Sequence, residues 1–593
     1  MAFLRYAAFS ALCFTATVFV VCNREPAEGA GGTDTRGRLD TGAFPAAKNI
    51  IIMIPDGCGL GHVTASRWYK GSSLALDEMR VGLMRTHNVH SLITGSAAAA
   101  TAFAAGRKTR VGYIGMMPDT ILVPKQRSVA DSLKYRPAAT VMEAARLSGR
   151  ATGLVMTSNF NHATPAAFVC HWHDRDAFHT LALQMLDAGL TVVFGAGTAY
   201  LDANLAGDLS AELGRRGIPY ARDLEGFRRL PPAAASAWGL FAAKHLANDL
   251  DRRTLGIEEP SLAEMTDKAL QILSNHPDGF MLVVEGSKVD WSSHDNDPVG
   301  VVSEFLAFDE AVGVALDYTK SHDSTLLVVF PDHDNGGMTI GTFANDEWYK
   351  RYTYDTSIAV LRRASLTAEA ILDSMESVFE NTGRLRSGTA AGLVSKALGL
   401  EGLDAIERRS VREMTQFVAM IPRGTSWRDS VGRRLGRLIS NRAYIGWTTY
   451  MHVGNDVPVW YAGAAGEMHT IDNTDMARMI FCALGTDPRA LNGRLFVEAG
   501  AAFAGAKVRI DTANAAVYDK KGKVEELTGG FLRVDRGGIR AELPLNRARM
   551  IVNRPNRPDT SVSLEGLTIY SLPAHKVYVP RQAGSMFDAM AHE

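Results

Sequence analysis

Five short, almost wholly apolar runs recur along the chain, at 49–55, 151–156, 191–194, 280–284 and 325–330. Each is rich in β-branched residues and stops abruptly at a polar residue or a glycine. Runs of this kind, without alternation, suit strands buried on both faces, as in a parallel sheet between helices. Helical periodicity lies between them, at 141–147 ahead of the second run and 262–273 ahead of the fourth. Strand–helix alternation predicts the α/β class: a three-layer α/β/α sandwich around a mostly parallel sheet.

Two regions depart from that rhythm. At 367–379, Ile371, Leu372, Met375, Val378 and Phe379 recur at helical spacing behind Thr367, a fitting N-cap, and an arginine-rich helical pattern follows at 431–439. The stretch 340–445 therefore reads as a helical insertion at one edge of the sheet. It either covers the mouth of a site there or stands apart as an exposed amphipathic subdomain. From 506 to 593 the pattern alternates, with strands expected at 507–510, 531–534 and 567–570 in a small β-rich C-terminal appendage.

At 593 residues, with 46% hydrophobic and 21% charged, the chain has room for a large main domain, 45–500, besides these two regions. A formal net charge of −1 gives no electrostatic reason to expect specific nucleic-acid binding. The basic cluster at 520–523 reads as a solvated turn. Residues 1–30 read as an export signal and linker: Arg5 precedes an apolar stretch at 6–21, shorter than the ~20 residues of a membrane span. Cys22 resembles a lipoprotein cysteine, although Val21 stands where a small residue is wanted, and cleavage at 27–30 is the alternative. Membrane attachment follows only if Cys22 is lipidated; either way the mature protein is expected in the periplasm or outside the cell. Outside the leader, Cys58, Cys170 and Cys482 are too few and too scattered for a disulfide framework.

The chemistry gathers at the ends of the apolar runs, where open α/β sheets build their sites. Asp56 ends the first run, Glu285 the fourth, and Asp332 with His333 the fifth. Asp290 and His294 are four residues apart, so on a helix they would face one side, as two ligands of one metal or as an ordinary surface pair. The run 332–337 hints at a calcium loop but fails, because its twelfth position is Phe343 where a bidentate Glu is required. His452 taken alone is a loop histidine. Ser96 opens an alanine-rich helix that closes at Gly106, which makes it either a plain N-cap or a hydroxyl at an anion-favouring helix end.

Taken in order, the blocks Ile54-Pro55-Asp56-Gly57, Thr94-Gly95-Ser96-Ala97, His162-Ala163-Thr164-Pro165-Ala166 with Arg175, Val284-Glu285-Gly286 to His294, Pro331-Asp332-His333 and His452-Val453-Gly454 resemble those of the alkaline phosphatase family. The resemblance spans 47–470 and makes 45–500 the catalytic domain; it does not reach the β-rich tail, and the insertion is longer than it suggests. It implies hydrolysis of small phosphate monoesters through a phosphoserine at Ser96, with Arg175 gripping the phosphate. It also implies two Zn2+ and one Mg2+. Asp290, His294 and His452 would hold one zinc; Asp56, Asp332 and His333 the other, beside Ser96; Asp56, Thr164 and Glu285 the magnesium. These donors suit those metals.

Three positions are departures from the pattern or options within it. Gly95 stands where many relatives carry an aspartate that supports the arginine, and Asp174 is no obvious substitute. His162 stands where relatives carry aspartate or histidine near the third metal, and Trp291 where some place a lysine or histidine, so a cationic contact is missing there. A phosphodiesterase of the same superfamily is the nearest alternative, and Thr164 with Glu285 weighs against it. The run 96–100 lacks the sulfatase pattern Cys/Ser-x-Pro-x-Arg. An inactive, metal-free envelope-binding module would not need the full set of ligands. A homodimer is common in the family, but the insertion and tail leave the oligomeric state open.

Overall fold

The first apolar run splits evenly between two cores: Ile50, Ile52 and Ile54 face one, Ile51 and Met53 the other, and all are fully buried. That is what the period-2 alternation of a strand requires when both sheet faces are covered. The computed structural model describes residues 45–592 apart from 124–126, 202–208, 343–351, 401, 422–425, 513–515 and 519–523. The leader, Cys22 and the 520–523 cluster lie outside the described residues, as do parts of the insertion.

The central sheet has ten strands. In chain order they are β1 (Asn49–Pro55), β2 (Arg80–Arg85), β3 (Ala151–Asn159), β4 (Val192–Ala196), β5 (Tyr220–Ala221), β6 (Ala237–Leu240), β7 (Phe280–Gly286), β8 (Thr325–Val329), β9 (Val457–Gly463) and β10 (Thr470–Asp472). Their spatial order is β10-β2-β9-β8-β1-β7-β3-β4-β6-β5. Only β9 runs against the others, antiparallel to both β8 and β2. The fold is therefore the expected α/β sandwich with a mostly parallel sheet. The five expected runs are β1, β3, β4, β7 and β8, and the register of β1 sets Ile54 beside Glu285 and Pro55 beside Gly286.

Both expected connecting helices form, at Val141–Leu147 and Leu262–Leu273, each opened by a capping box from Thr140 or Ser261. Helices Tyr354–Arg362, Ala368–Thr382, Ser387–Ala397, Ala405–Met420 and Arg428–Arg442 make up the helical region, with Thr367 capping the second. They enclose a core of their own that includes Ile371, Met375, Leu435 and Ile439, closed against Val299 and Val302 of the long helix Pro298–Ser321. In the C-terminal region, Lys507–Asp511, Phe531–Arg536, Ile539–Pro544, Arg549–Asn553 and Thr560–Ser563 form a five-stranded antiparallel sheet. Its Leu532, Val534, Leu543 and Val552 belong to the same core as Ile50 and Ile52. Cys58, Cys170 and Cys482 take part in no disulfide among the described residues. Among the described residues, no helix is long and apolar enough to cross a membrane.

Candidate active site

Three neighbouring strands, β8, β1 and β7, release their chains at one sheet edge and bring Asp332, Asp56 and Glu285 together there. Gly57, at φ +71°, turns the backbone sharply after Asp56; a Cβ at Gly57 would lie 2.5 Å from Asp290 Oδ1, so only glycine fits. Its amide donates to Asp332 Oδ1 at 3.0 Å, which ties the first and fifth apolar runs at their ends.

Ser96 is the first residue of the helix Ser96–Ala105, and Gly95, with extended backbone, is the N-cap. The plain N-cap reading of Ser96 is thereby corrected. A cap must have non-helical backbone, and that role falls to Gly95. Ser96 Oγ makes no capping bond and lies 3.4 Å from His333 Nε2. At the far end Gly106 adopts φ +66° and closes the helix as expected.

Asp290 and His294 do share one face of a helix, Lys288–His294. Asp290 Oδ2 is 3.4 Å from His294 Nε2 and Asp290 Oδ1 is 3.5 Å from His452 Nε2. Each histidine is held by its other nitrogen. His294 Nδ1 bonds the Tyr450 carbonyl at 2.7 Å and His452 Nδ1 the Thr94 carbonyl at 2.8 Å, so both Nε2 atoms point inward, the arrangement of metal-ligating histidines. A two-residue ladder pairs Asn335 with His452 and Asp334 with Val453, and His452 stacks on His333 with ring centroids 3.6 Å apart.

Among the described residues, the groups that could hold a metal fall into three overlapping sets whose ligand atoms lie within 4.8 Å of one another: Asp290, His333 and His452; Asp56, Asp332 and His333; and Asp56, His162 and Glu285. The second is the set expected beside Ser96. The first brings His333 to Asp290 and His452 where His294 was expected, and His294 reaches the same carboxylate from the other side. In the third, His162 joins Asp56 and Glu285, while the hydroxyl of Thr164 is buried without a partner. Both carboxylate oxygens of Asp56, Glu285 Oε1 and His333 Nδ1 are likewise buried without a hydrogen bond, and Asp332 Oδ2 has only the His333 Nε2 ring nitrogen beside it, at 3.0 Å. So many orphaned acceptors in one place would be costly in a protein that binds nothing there, and cations satisfy them.

Electrostatics agree. Burial, then the neighbouring Asp332, Asp290 and Glu285, push the Asp56 carboxyl well above its usual range. Burial raises Glu285 to about 7, with Asp332 adding to it. Burial also works against the charged form of Asp290, but His294 and His452 outweigh it and hold that carboxyl well below the usual range. His294 goes up to about 9 because Asp290 outweighs its burial. His452 falls to about 4 through burial and then the neighbouring His333.

Arg175 follows the short helix Ala163–Ala166, on a loop pinned by a bridge between Ile114 and Trp172. Its Nη2 lies 3.0 Å from His162 Nε2, and burial followed by that guanidinium drops His162 to about 3. Trp291 packs edge-on against the rings of His162 and His245, and the Lys288 ammonium lies over its ring, 5.8 Å from the centre. Several contributors escaped the reading of the sequence. Asn335 donates to both Asp290 O and Oδ1, at 2.9 and 2.8 Å, and sits two residues after His333 in plain view. Ser158 and Ser287 bond each other beside Glu285, with nothing in their local sequence to mark them.

Fold and site together define a metal-dependent hydrolase of the α/β sandwich class. A family profile for alkaline phosphatase matches residues 47–486. The chain is 32% identical over 454 residues to alkaline phosphatase 3 of Bacillus subtilis, covering 74% of this chain and 89% of that one. It is 28% identical over 447 residues to an alkaline phosphatase of Schizosaccharomyces pombe, covering 71% and 77%. The solved alkaline phosphatase of Thermus thermophilus superposes with a TM-score of 0.66 at 25% identity, over 78% of this chain and 96% of that one. A cold-active alkaline phosphatase from a Shewanella species gives 0.60 at 27%, over 74% and 99%. The chain belongs to the alkaline phosphatase family and is a phosphatase.

Proposed function

We propose that this phosphatase hydrolyses small phosphate monoesters through a covalent phosphoserine at Ser96. The observation that supports it best is the Ser96 hydroxyl at a helix start, 3.4 Å from His333 and close to buried carboxylate oxygens of Asp56 and Glu285 that have no hydrogen bond. Asp290, His294 and His452 would hold one zinc, Asp56, Asp332 and His333 the second, and Asp56, Thr164 and Glu285 a magnesium, with His162 beside that third group. When bound, such ions lower the pKa of the attacking oxygen and neutralise charge on the apical oxygens of the transferring phosphoryl group.

The chain's own part is positioning and charge stabilisation. Ser96 Oγ attacks phosphorus in line; the Oγ–P bond forms as the bond to the alcohol oxygen breaks, and the alcohol leaves. The free N–H groups at the helix start face the anionic group, where the helix dipole favours negative charge. Arg175 grips two non-bridging oxygens with its planar fork, while His162 steadies the guanidinium from behind. Water then cleaves the Oγ–P bond, restores the serine and releases inorganic phosphate. The leader at 1–30 adds that the mature enzyme works outside the cytoplasm.

A kinetic panel of one chromogenic monoester, one diester and one sulfate ester tests the substrate class. The monoester is expected to give the highest kcat/KM; preference for either of the others would overturn the reading.

A further inference from the structure

Arg175 has little to hold it on the side where a carboxylate would be expected. Gly95 offers no side chain, Asp174 Oδ1 accepts the Asp176 amide, and Asp176 Oδ1 is 4.0 Å from Arg175 Nε on a side chain that is 77% exposed. The close partner of the guanidinium is His162 Nε2. Behind His162 a continuous set of contacts runs outward to the helical insertion. The His162 ring meets the Trp291 ring edge-on at 5.7 Å, and Trp291 meets the ring of His245 edge-on at 4.8 Å. His245 Nε2 bonds Glu369 Oε1 at 3.1 Å. Glu369 Oε2 accepts from Asn248 Nδ2 at 2.8 Å and pairs with Lys288 Nζ at 2.9 Å. Lys288 is fully buried, donates to the Leu246 carbonyl and lies 5.8 Å from the centre of the Trp291 ring.

Glu369 is fixed in space because the start of its helix, Ala368–Thr382, is docked on the catalytic body. The Thr367 amide and hydroxyl donate to Asp251 at 2.9 and 2.5 Å, and the Ala368 amide donates to Asp297 Oδ2 at 2.8 Å. Thr367, Asp251 and Asp297 are buried, and buried hydrogen-bonded anchors of this kind rigidify what they touch. The network ends, on its inner side, at the arginine.

We infer that the helical insertion orients the phosphate-binding arginine: Glu369 holds His245 and Lys288 against Trp291, Trp291 braces His162, and His162 carries Arg175. His245 and Glu369 are positioning residues, remote in sequence from the site they serve. This rests on the reading of Arg175 as the phosphate grip. It accounts for a site that lacks a carboxylate at Gly95: the close support of the guanidinium comes from His162 instead.

Calorimetric titration of inorganic phosphate into the metal-loaded full chain tests it. His245→Ala, at a side chain 34% exposed, is expected to fold normally. It should weaken phosphate binding about three- to tenfold, the scale of losing one preorganised side chain, with metal content unchanged. Glu369→Gln should do the same. In an Arg175→Ala background both effects should vanish, which a general loss of structure would not produce. Unchanged phosphate affinity in His245→Ala would overturn the inference, and so would an equal loss with and without Arg175. If Glu369→Gln does not fold because Lys288 is left buried and unpaired, His245→Ala carries the test alone. If Arg175→Ala itself binds phosphate as the native protein does, the reading of Arg175 has failed, and the inference with it.

Discussion

A Cβ at Gly95 would meet only one atom within 4 Å, His452 Cε1 at 3.9 Å, and the φ of −124° suits any residue. A side chain can start at this position without a Cβ clash or backbone strain. Gly95→Asp is therefore expected to tighten inorganic phosphate several-fold as a competitive inhibitor, by adding a charge-assisted partner for Arg175. An unchanged inhibition constant would show that the arginine is already fully supported. At this scale the sequence was most legible where chemistry and local geometry coincide. Asp56, Glu285, Asp332 and His333 follow strands whose apolar runs are plain, and Ser96 opens a helix of unmistakable composition. His245 and Glu369 were illegible, because 124 positions separate them and nothing local says that they meet.

Among the elements, the helix Arg428–Arg442 shows how closely the insertion is seated. Its Gly432 and Gly436 lie on Asp295 and Asn296; a Cβ at Gly436 would fall 2.0 Å from the Asp295 carbonyl oxygen. Alanine there would gain about 1 kcal/mol of helix propensity, but the overpacking costs about 1–3 kcal/mol against backbone that cannot yield. Gly436→Ala should lower the melting temperature. Gly392, on the neighbouring helix Ser387–Ala397, has open space at its Cβ, and Gly392→Ala should raise it. The same sign for both in thermal melts would refute this packing. The helices of this region were legible from their periodicity, but their contact with the site was not, since periodicity says which face is buried and not against what. Strands β2 and β9 were missed for a related reason. Much of β2 is exposed, and β9 carries Pro458, a residue that argues against a central strand; the β9–β8 ladder begins only at Trp460.

For the whole molecule, a formal charge of −1 conceals a concentration of acids at one sheet edge, and the coupling of metal, charge and stability follows from it. Without metal, the proton on Glu285 leaves at about 7 and that on His294 at about 9, both above the ordinary values for their types. A group whose folded pKa is raised contributes stability that is complete below its unfolded pKa and is lost as pH rises through the folded value. Glu285 has given up that contribution by about pH 7, so between pH 7 and 9 the chelated protein should lose stability through His294. The depressed His452 and His162, at about 4 and 3, have finished titrating below that window. Metal binding needs deprotonated ligands, so the loaded form gains over the same range. The gap in melting temperature between loaded and chelated protein should widen from pH 7 to pH 9; a constant gap would mean that these groups do not hold metal. The most direct test of the central claim is to mix the metal-loaded enzyme with a monoester, quench in acid within the turnover time and map the attached phosphoryl group by mass spectrometry. A phosphoryl group on the peptide carrying Ser96, absent in Ser96→Ala, is the predicted result. Turnover with no phosphorylated peptide, or with the group on another residue, would contradict it.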